Sequence, residues 1–213
     1  MANFLSVDGK FYRFGTVLAD MLLLGFLWTL FSLPIITIGA TTTALYYVCT
    51  KKASGKDEYI LSGFFKSFKA NFVKATMIFL ILALISYIVW LNLQILGEID
   101  MGWLRRPVTI ALYFMLAQVI FVVTHVFCIL ARFETSVFNA LKSALFMSYR
   151  HLMTTVTNLV LWLMIAFVSF SFPVLILFMM GIFVYLSSYL FVTIFRKHYP
   201  DFDGTKVATE LES

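Results

Sequence analysis

The chain has 213 residues, of which 62% are hydrophobic and 13% are charged, with a mean hydropathy of +0.94 and a net charge of +5. One core of this size cannot bury so much apolar surface, so the composition excludes an ordinary soluble enzyme or binding domain. Several runs of about 20 apolar residues are each long enough to cross a hydrocarbon layer of roughly 30 Å. We therefore expect an all-α, polytopic bundle of transmembrane helices in one domain, residues 1–198, followed by a polar cytoplasmic tail, residues 199–213.

The first apolar run, Thr16–Thr50, carries one charged residue, Asp20, and is interrupted at Pro34. The interruption is either a kink inside one helix or a turn between two antiparallel helices, because proline also occurs within transmembrane helices. We prefer the turn, since the segment Phe31–Ile35 resembles Phe170–Val174, where a second proline separates two later apolar runs. The residues that characterise this turn are Ser32, Pro34, Thr37 and Gly39.

The segment Tyr59–Lys69 alternates bulky apolar residues with lysines at helical spacing. This pattern predicts an amphipathic helix in the headgroup region, separate from the span that follows it. Its candidate residues for docking a partner protein or anionic lipid are Phe64, Phe65, Lys66, Phe68 and Lys69. A second polar loop is expected over Ala131–His151. The six predicted spans are approximately Thr16–Leu33, 36–50, Phe72–Ile95, Val108–Leu130, Leu152–Phe170 and Val174–Phe195.

The placement of basic residues predicts the orientation in the membrane. With six spans, 14 of the 16 Lys and Arg residues fall on the cytoplasmic side, and Arg105 and Arg106 fall outside. With five spans the N-terminus changes sides and the split becomes 12 against 4. The positive-inside rule therefore favours six spans, with both termini in the cytoplasm and five spans as the alternative.

Four polar residues within the predicted spans are candidates for function: Asp20, Gln118, His125 and Asn158. Asp20 is either a proton or cation site or a partner for His125 or Arg132, or, as we prefer, a residue near the interface that pairs with Arg13 or a loop lysine. The stripe Gln118, His125, Arg132 on the fourth span and the face around Asn158 on the fifth could form a polar seam. Such a seam is either a solute path or, as we prefer, a set of interhelical hydrogen bonds that fixes helix register.

The N-terminal third of the chain resembles the YesL family of bacterial integral membrane proteins. The resemblance is carried by Ala19 and Asp20, by Trp28 followed by Ser32–Gly39, by Thr43–Tyr47, and by Phe64–Phe72. It implies a multi-pass protein of the bacterial plasma membrane, often encoded beside carbohydrate-uptake genes that include sugar ABC transporters. It implies no catalytic residues, and the activity of the family is not settled.

The sequence contains no nucleophile with a base at usable spacing, and its three histidines and two cysteines have no metal-site spacing. We expect no enzymatic activity, no cofactor, no metal and no nucleic-acid partner. The function that we expect is a non-catalytic accessory or regulatory protein of a carbohydrate ABC uptake system, in contact with an anionic cytoplasmic leaflet. The alternatives are a small secondary transporter that uses the polar seam and a structural protein that organises lipid.

Overall fold

The computed structural model describes residues 10–56, 59–98, 102–172, 175–198 and 207–208. This part of the chain is almost entirely helical, which confirms the all-α expectation. Its helices are α1 (Lys10–Ser32), α2 (Ile38–Ala53), α3 (Ile60–Glu98), α4 (Arg105–Arg132), α5 (Val137–Arg150), α6 (Leu152–Ser171) and α7 (Ile176–His198). Short 3-10 turns, Ile35–Thr37 and Gly102–Leu104, precede α2 and α4, and the two-residue strands β1 (Phe133–Glu134) and β2 (Val207–Ala208) pair in parallel. Pro173 and Val174 lie outside the described residues, as does the expected tail apart from Val207 and Ala208.

Within those ranges, five helices are long and apolar enough to cross a membrane, so the chain is a multi-pass membrane protein by length and composition. They are Phe14–Ser32, Ile60–Glu98, Gly102–Arg132, Leu152–Ser171 and Leu177–Lys197. The expected sixth span, α2, has 16 residues. At a rise of about 1.5 Å per residue it covers about 24 Å, less than the roughly 30 Å hydrocarbon core. By length and composition the described residues thus hold five spans, the number that we gave as the alternative, and the predicted span 36–50 is present as the shorter helix α2.

The break at Pro34 is nevertheless a turn and not a kink, because α1 and α2 are separate antiparallel helices. Three side-chain pairs connect them in antiparallel order. Near the turn, Ser32 and Thr41 share a hydroxyl–hydroxyl hydrogen bond of 2.7 Å, and the Trp28 indole donates to Thr42 at 3.0 Å. Far from the turn, Lys52 forms an ion pair with Asp20. The hairpin that we preferred on the basis of the Phe31–Ile35 segment is thus present.

Helix α2 lies at the centre of the bundle. Every residue from 39 to 50 is buried, and the helix packs against α1, α3, α4 and α7. A helix that faces lipid must be apolar on its outer side, whereas a helix enclosed by protein can carry polar side chains that its neighbours satisfy. This position accounts for the threonine-rich sequence of α2 and for its low hydropathy.

Helix α3 is continuous from Ile60 to Glu98. The expectation that Tyr59–Lys69 forms a helix separate from the following span is therefore wrong. The 39 residues of α3 extend about 58 Å at a rise of about 1.5 Å per residue, well beyond the thickness of a bilayer. Beyond Ile78 the buried residues recur every seven positions, at Leu82, Val89 and Leu96. This heptad stripe packs against α4, with which α3 forms a long antiparallel hairpin.

The predicted polar loop over Ala131–His151 is also wrong, because most of it forms α5. The helix begins at Ser136, whose hydroxyl accepts the Asn139 backbone N–H at 3.3 Å. One side of α5 consists of small buried residues, Ala140, Ala144 and Ser148, that pack against α4. The opposite side, which we call the α5 outer face, exposes Phe138, Lys142, Phe146 and Tyr149.

The ends of several helices meet at one end of the bundle, which we call the basic end. The Arg196 guanidinium of α7 donates to the Ser54 carbonyl just after α2 at 3.3 Å. Lys52 ends α2 at the same place, and Arg132 ends α4 with its guanidinium 5.5 Å from the Tyr47 ring centre. Lys74 of α3 donates to the carbonyl of Thr135 at 2.9 Å and ties the α4–α5 connection to the same region.

Candidate functional site

A chain of hydrogen bonds links three helices through the middle of the bundle. The Tyr46 hydroxyl of α2 lies 3.3 Å from the Ser187 hydroxyl of α7. Ser187 donates in turn to the side-chain oxygen of Asn158 on α6, and the Asn158 amide donates to the Thr154 carbonyl at 3.1 Å. Asn158 and Ser187 are almost fully buried. The side chains of Tyr46, Ser187 and Asn158, which we call the polar seam, therefore satisfy one another within the bundle.

This seam differs from the predicted one, which paired α4 with α6. Asn158 bonds to α7 and not to the stripe on α4, and Gln118 is only partly buried. Arg132, at the end of that stripe, is fully buried beside the ring of Tyr47. Asn158 belongs to a polar face of α6, and the partner of this face lies on α7.

His125 of α4 is fully buried next to the polar seam. Its Nδ1 lies 2.7 Å from the Thr124 hydroxyl and 3.3 Å from the Phe121 carbonyl, and its ring meets the ring of Phe191 edge-on at 5.2 Å. Its Nε2 has no hydrogen-bond partner among the described residues. Phe191 also stacks edge-on against Tyr46 at 5.8 Å, so one aromatic ring separates His125 from the seam.

Asp20 forms an ion pair with Lys52. The Asp20 side chain is 23% exposed and the Lys52 side chain is 21% exposed. The pair joins α1 to the end of α2 at the basic end. Asp20 therefore has the loop-lysine partner that we preferred over a pairing with His125 or Arg132.

The predicted docking residues on α3 divide into two groups. Lys66 and Lys69 are exposed, but Phe64 is fully buried and Phe65 and Phe68 are partly buried. The three phenylalanine rings surround Phe31 at the end of α1, with ring centres 6.1, 5.3 and 5.9 Å away. The aromatic side of this segment thus packs against the core, and Lys66 and Lys69 are the predicted docking residues that remain exposed.

The turn residues are held by local hydrogen bonds. The Thr37 hydroxyl lies 2.5 Å from the Phe31 carbonyl and 2.6 Å from the Pro34 carbonyl, and it closes the turn from within. Gly39 follows at the start of α2, where a Cβ would lie 2.5 Å from the Ala75 carbonyl of α3. Ser32 bonds across the turn to Thr41. All four turn residues therefore have an architectural role.

Beside the polar seam lies a cleft of about 230 Å³ that we call the aromatic cleft. It is formed between α1, α2, α3, α4 and α6. Five of the twelve residues that line it are aromatic: Trp28, Tyr46, Phe79, Phe127 and Trp162. Trp162 also packs against Phe183 of α7 at 4.8 Å, which connects the cleft wall to the seam helices.

A comparison with protein families finds a match for one part of the chain. Residues 21–93 match DUF624, a family described as proteins of unknown function. DUF624 is the domain found in YesL-like proteins. The matched segment runs from α1 through most of α3 and contains the whole turn. Asp20 lies one residue before the segment. Comparisons with curated proteins and with solved structures found no significant match.

Two features of the site were missed from the sequence. Ser187 was not singled out, although two adjacent serines in the middle of an apolar helix are a usable signal. The α5 outer face was assigned to a loop, although Ala140, Ala144 and Ser148 recur at the four-residue spacing of a helix. Among the described residues, no group of three His, Cys, Asp or Glu side chains could hold a metal ion, and Cys49 and Cys128 are free and buried.

Proposed function

We propose that this chain is a YesL-like protein of the bacterial plasma membrane and a non-catalytic accessory or regulatory subunit of a carbohydrate ABC uptake system. The match of residues 21–93 to DUF624 supports the assignment to YesL-like proteins. The association with carbohydrate uptake rests on the resemblance of the turn and of the neighbouring motifs to that family.

The observation that carries an accessory role is the hydrogen bonding of the side chains of the polar seam to one another. Asn158, Ser187 and Tyr46 bond within the seam, and Asp20 bonds to Lys52. A solute path needs polar groups that are free to exchange partners, whereas bonds of this kind fix helix register at about 0.6 kcal/mol each. The arrangement favours a rigid bundle that acts by binding a partner at its surface.

The surface that we assign to the partner is the α5 outer face near the basic end. Phe138 and Phe146 are 75% and 65% exposed, and the Arg150 guanidinium lies 6.0 Å from the Phe146 ring centre. Exposed aromatic residues beside cations are typical of the central residues of protein interfaces. Such a face suits a cytoplasmic ATPase or permease loop with acidic and apolar side chains.

The test is copurification from the native host in a mild detergent, combined with oligosaccharide uptake in a deletion strain. We expect ABC subunits to copurify with the wild-type protein, and a Phe138→Ala, Phe146→Ala variant to lose them. Phe167→Ala is the matched control, because Phe167 is equally exposed but lies on the span α6. Normal uptake in the deletion strain together with an absence of ABC subunits would overturn the proposal.

A small secondary transporter is the second candidate, and one observation favours it. The Nε2 atom of His125 is buried and without a hydrogen-bond partner among the described residues, which a proton-carrying site would use. In proteoliposomes, a proton-coupled flux that His125→Ala and Asp20→Asn each abolish would support transport. A flux that is absent from the wild-type protein would eliminate it.

A further inference from the structure

The aromatic cleft presents almost pure carbon surface to its interior, because its polar groups are bonded elsewhere. The Thr42 hydroxyl accepts the Trp28 indole N–H at 3.0 Å, and the Ser86 hydroxyl donates to the Leu82 carbonyl at 2.8 Å. The Tyr46 hydroxyl is directed to Ser187 in the polar seam. A sugar or an ion entering this cleft would lose its hydrogen bonds to water without replacement, so the cleft suits an apolar ligand.

The cleft reaches the surface of the bundle beside α3, at Ala83, and we call this opening its mouth. Ala83 lines the cleft and is itself exposed. Its neighbours on α3, Leu80, Leu84 and Tyr87, are 48%, 59% and 56% exposed. Exposed apolar side chains on a membrane-spanning helix face lipid, so the cleft opens sideways towards the bilayer.

The depth of the mouth can be read from the sequence of α3. Residues Ala75–Leu96 contain no Asp, Glu, Lys, Arg or His, and Ala83 lies close to the middle of this stretch. A stretch of that length matches a hydrocarbon core of roughly 30 Å. The mouth therefore opens among lipid acyl chains, far from the headgroups.

We propose that the aromatic cleft binds one acyl chain of a membrane lipid, which enters laterally past Ala83. Its volume of about 230 Å³ exceeds the ~150 Å³ of an apolar cavity that binds benzene. Two tryptophans, Trp28 of α1 and Trp162 of α6, would contact the chain from opposite elements of the wall. An inserted chain would add packing contacts on the side of those rings that faces the cleft.

Quenching of tryptophan fluorescence by brominated lipids tests the site. The background is Trp90→Phe, Trp103→Phe, which leaves Trp28 and Trp162 as the fluorescent residues. In liposomes of phospholipid brominated at the middle of the acyl chains, we expect strong quenching. Adding Ala83→Phe should close the mouth and remove about half of that quenching, whereas Leu84→Phe, on the exposed side of α3, should leave it unchanged.

Two further arms make the result decisive. Val119→Phe fills the cleft from α4, and it should reduce quenching as Ala83→Phe does even if the latter variant folds poorly. A brominated free fatty acid added to unbrominated liposomes distinguishes a free chain from a phospholipid chain. Equal quenching in the parent, Ala83→Phe and Val119→Phe proteins would overturn the proposal, and quenching by the free fatty acid alone would overturn the assignment to a membrane lipid.

Discussion

Close backbone contact between helices depends on single residues in this bundle. Gly39 is the most instructive, because α2 lies so close to α3 there that a Cβ would be 2.5 Å from the Ala75 carbonyl and 2.9 Å from the Phe79 Cβ. Gly181 of α7 has the same role against Met21 of α1. Small residues at helix crossings allow the close packing on which association within a membrane depends.

We predict that Gly39→Ala destabilises the protein by about 1–3 kcal/mol, the usual cost of overpacking a tight contact. The measurement is thermal unfolding in detergent, followed by the loss of the monodisperse peak in size-exclusion chromatography. Gly97→Ala is the control, since a Cβ at Gly97 would meet nothing within 4 Å. Equal midpoints for the two variants would show that α2 and α3 are not in close contact at this point.

The ion pair between Asp20 and Lys52 gives a second prediction at this scale. Because both side chains are only about a fifth exposed, a double-mutant cycle of Asp20→Asn and Lys52→Met should show a coupling of about 1 kcal/mol. A cycle that combines Asp20→Asn with Lys142→Met on α5 should show no coupling. Additive effects for the first pair would mean that the charges do not interact.

At the scale of elements, side-chain hydrogen bonds close the turn between α1 and α2. The Thr37 hydroxyl is within hydrogen-bond distance of two carbonyls, Phe31 and Pro34, at the point where the proline leaves the backbone without a helical partner. The turn in this way holds α2 against α1 with the correct register for the Trp28–Thr42 and Ser32–Thr41 pairs.

Thr37→Val keeps the shape of the side chain and removes the hydroxyl. We expect it to cost about 1 kcal/mol, the net contribution of a hydrogen bond, and to lower the unfolding midpoint by a few degrees. Thr109→Val on α4 removes an exposed hydroxyl that bonds only within its own helix, to the Arg105 carbonyl, and should have a smaller effect. A midpoint for Thr37→Val at or above that of Thr109→Val would contradict this role of the turn.

The accuracy of the sequence-based expectations varies with the element for physical reasons. Hydropathy located α1, α4, α6 and α7, because their lipid-facing sides must be apolar. It failed for α5 and for the start of α3, where the periodicity of Phe64, Phe65 and Phe68 shows that one side is buried but not whether protein or lipid covers it. Asn158 was found as a polar group, but its partner Ser187 depends on which helices are neighbours, and a sequence of similar apolar spans leaves that open.

The whole molecule has a strong asymmetry of charge. The residues Lys52, Arg132 and Arg196 lie at the basic end, whereas Arg105 and Arg106 begin α4 at the other end. Because α1 and α2 are antiparallel, the first half of α1 lies beside the basic end, where Asp20 meets Lys52. The positive-inside rule predicts that this end is cytoplasmic.

Cysteine labelling in intact cells tests this orientation. In a background lacking Cys49 and Cys128, we expect Gly15→Cys, Tyr59→Cys and Lys197→Cys to be protected from a membrane-impermeant thiol reagent and Trp103→Cys to react. Tyr59 and Trp103 are 88% and 82% exposed, so burial within the bundle does not limit their reaction. A reactive Gly15→Cys beside a protected Tyr59→Cys would require the single kinked helix and would contradict the hairpin.

The enclosed position of α2 has a consequence for the way the protein is made. During synthesis α2 emerges early, yet one of the surfaces that covers it, α7, emerges only after α3, α4, α5 and α6. Until then the Tyr46 hydroxyl lacks Ser187, and the threonine-rich helix α2 is covered by α1, α3 and α4 but not by α7. Chains truncated before Ile176 leave one side of α2 without its protein neighbour, so we expect membrane quality-control proteases to degrade them faster than the full chain in a pulse-chase measurement.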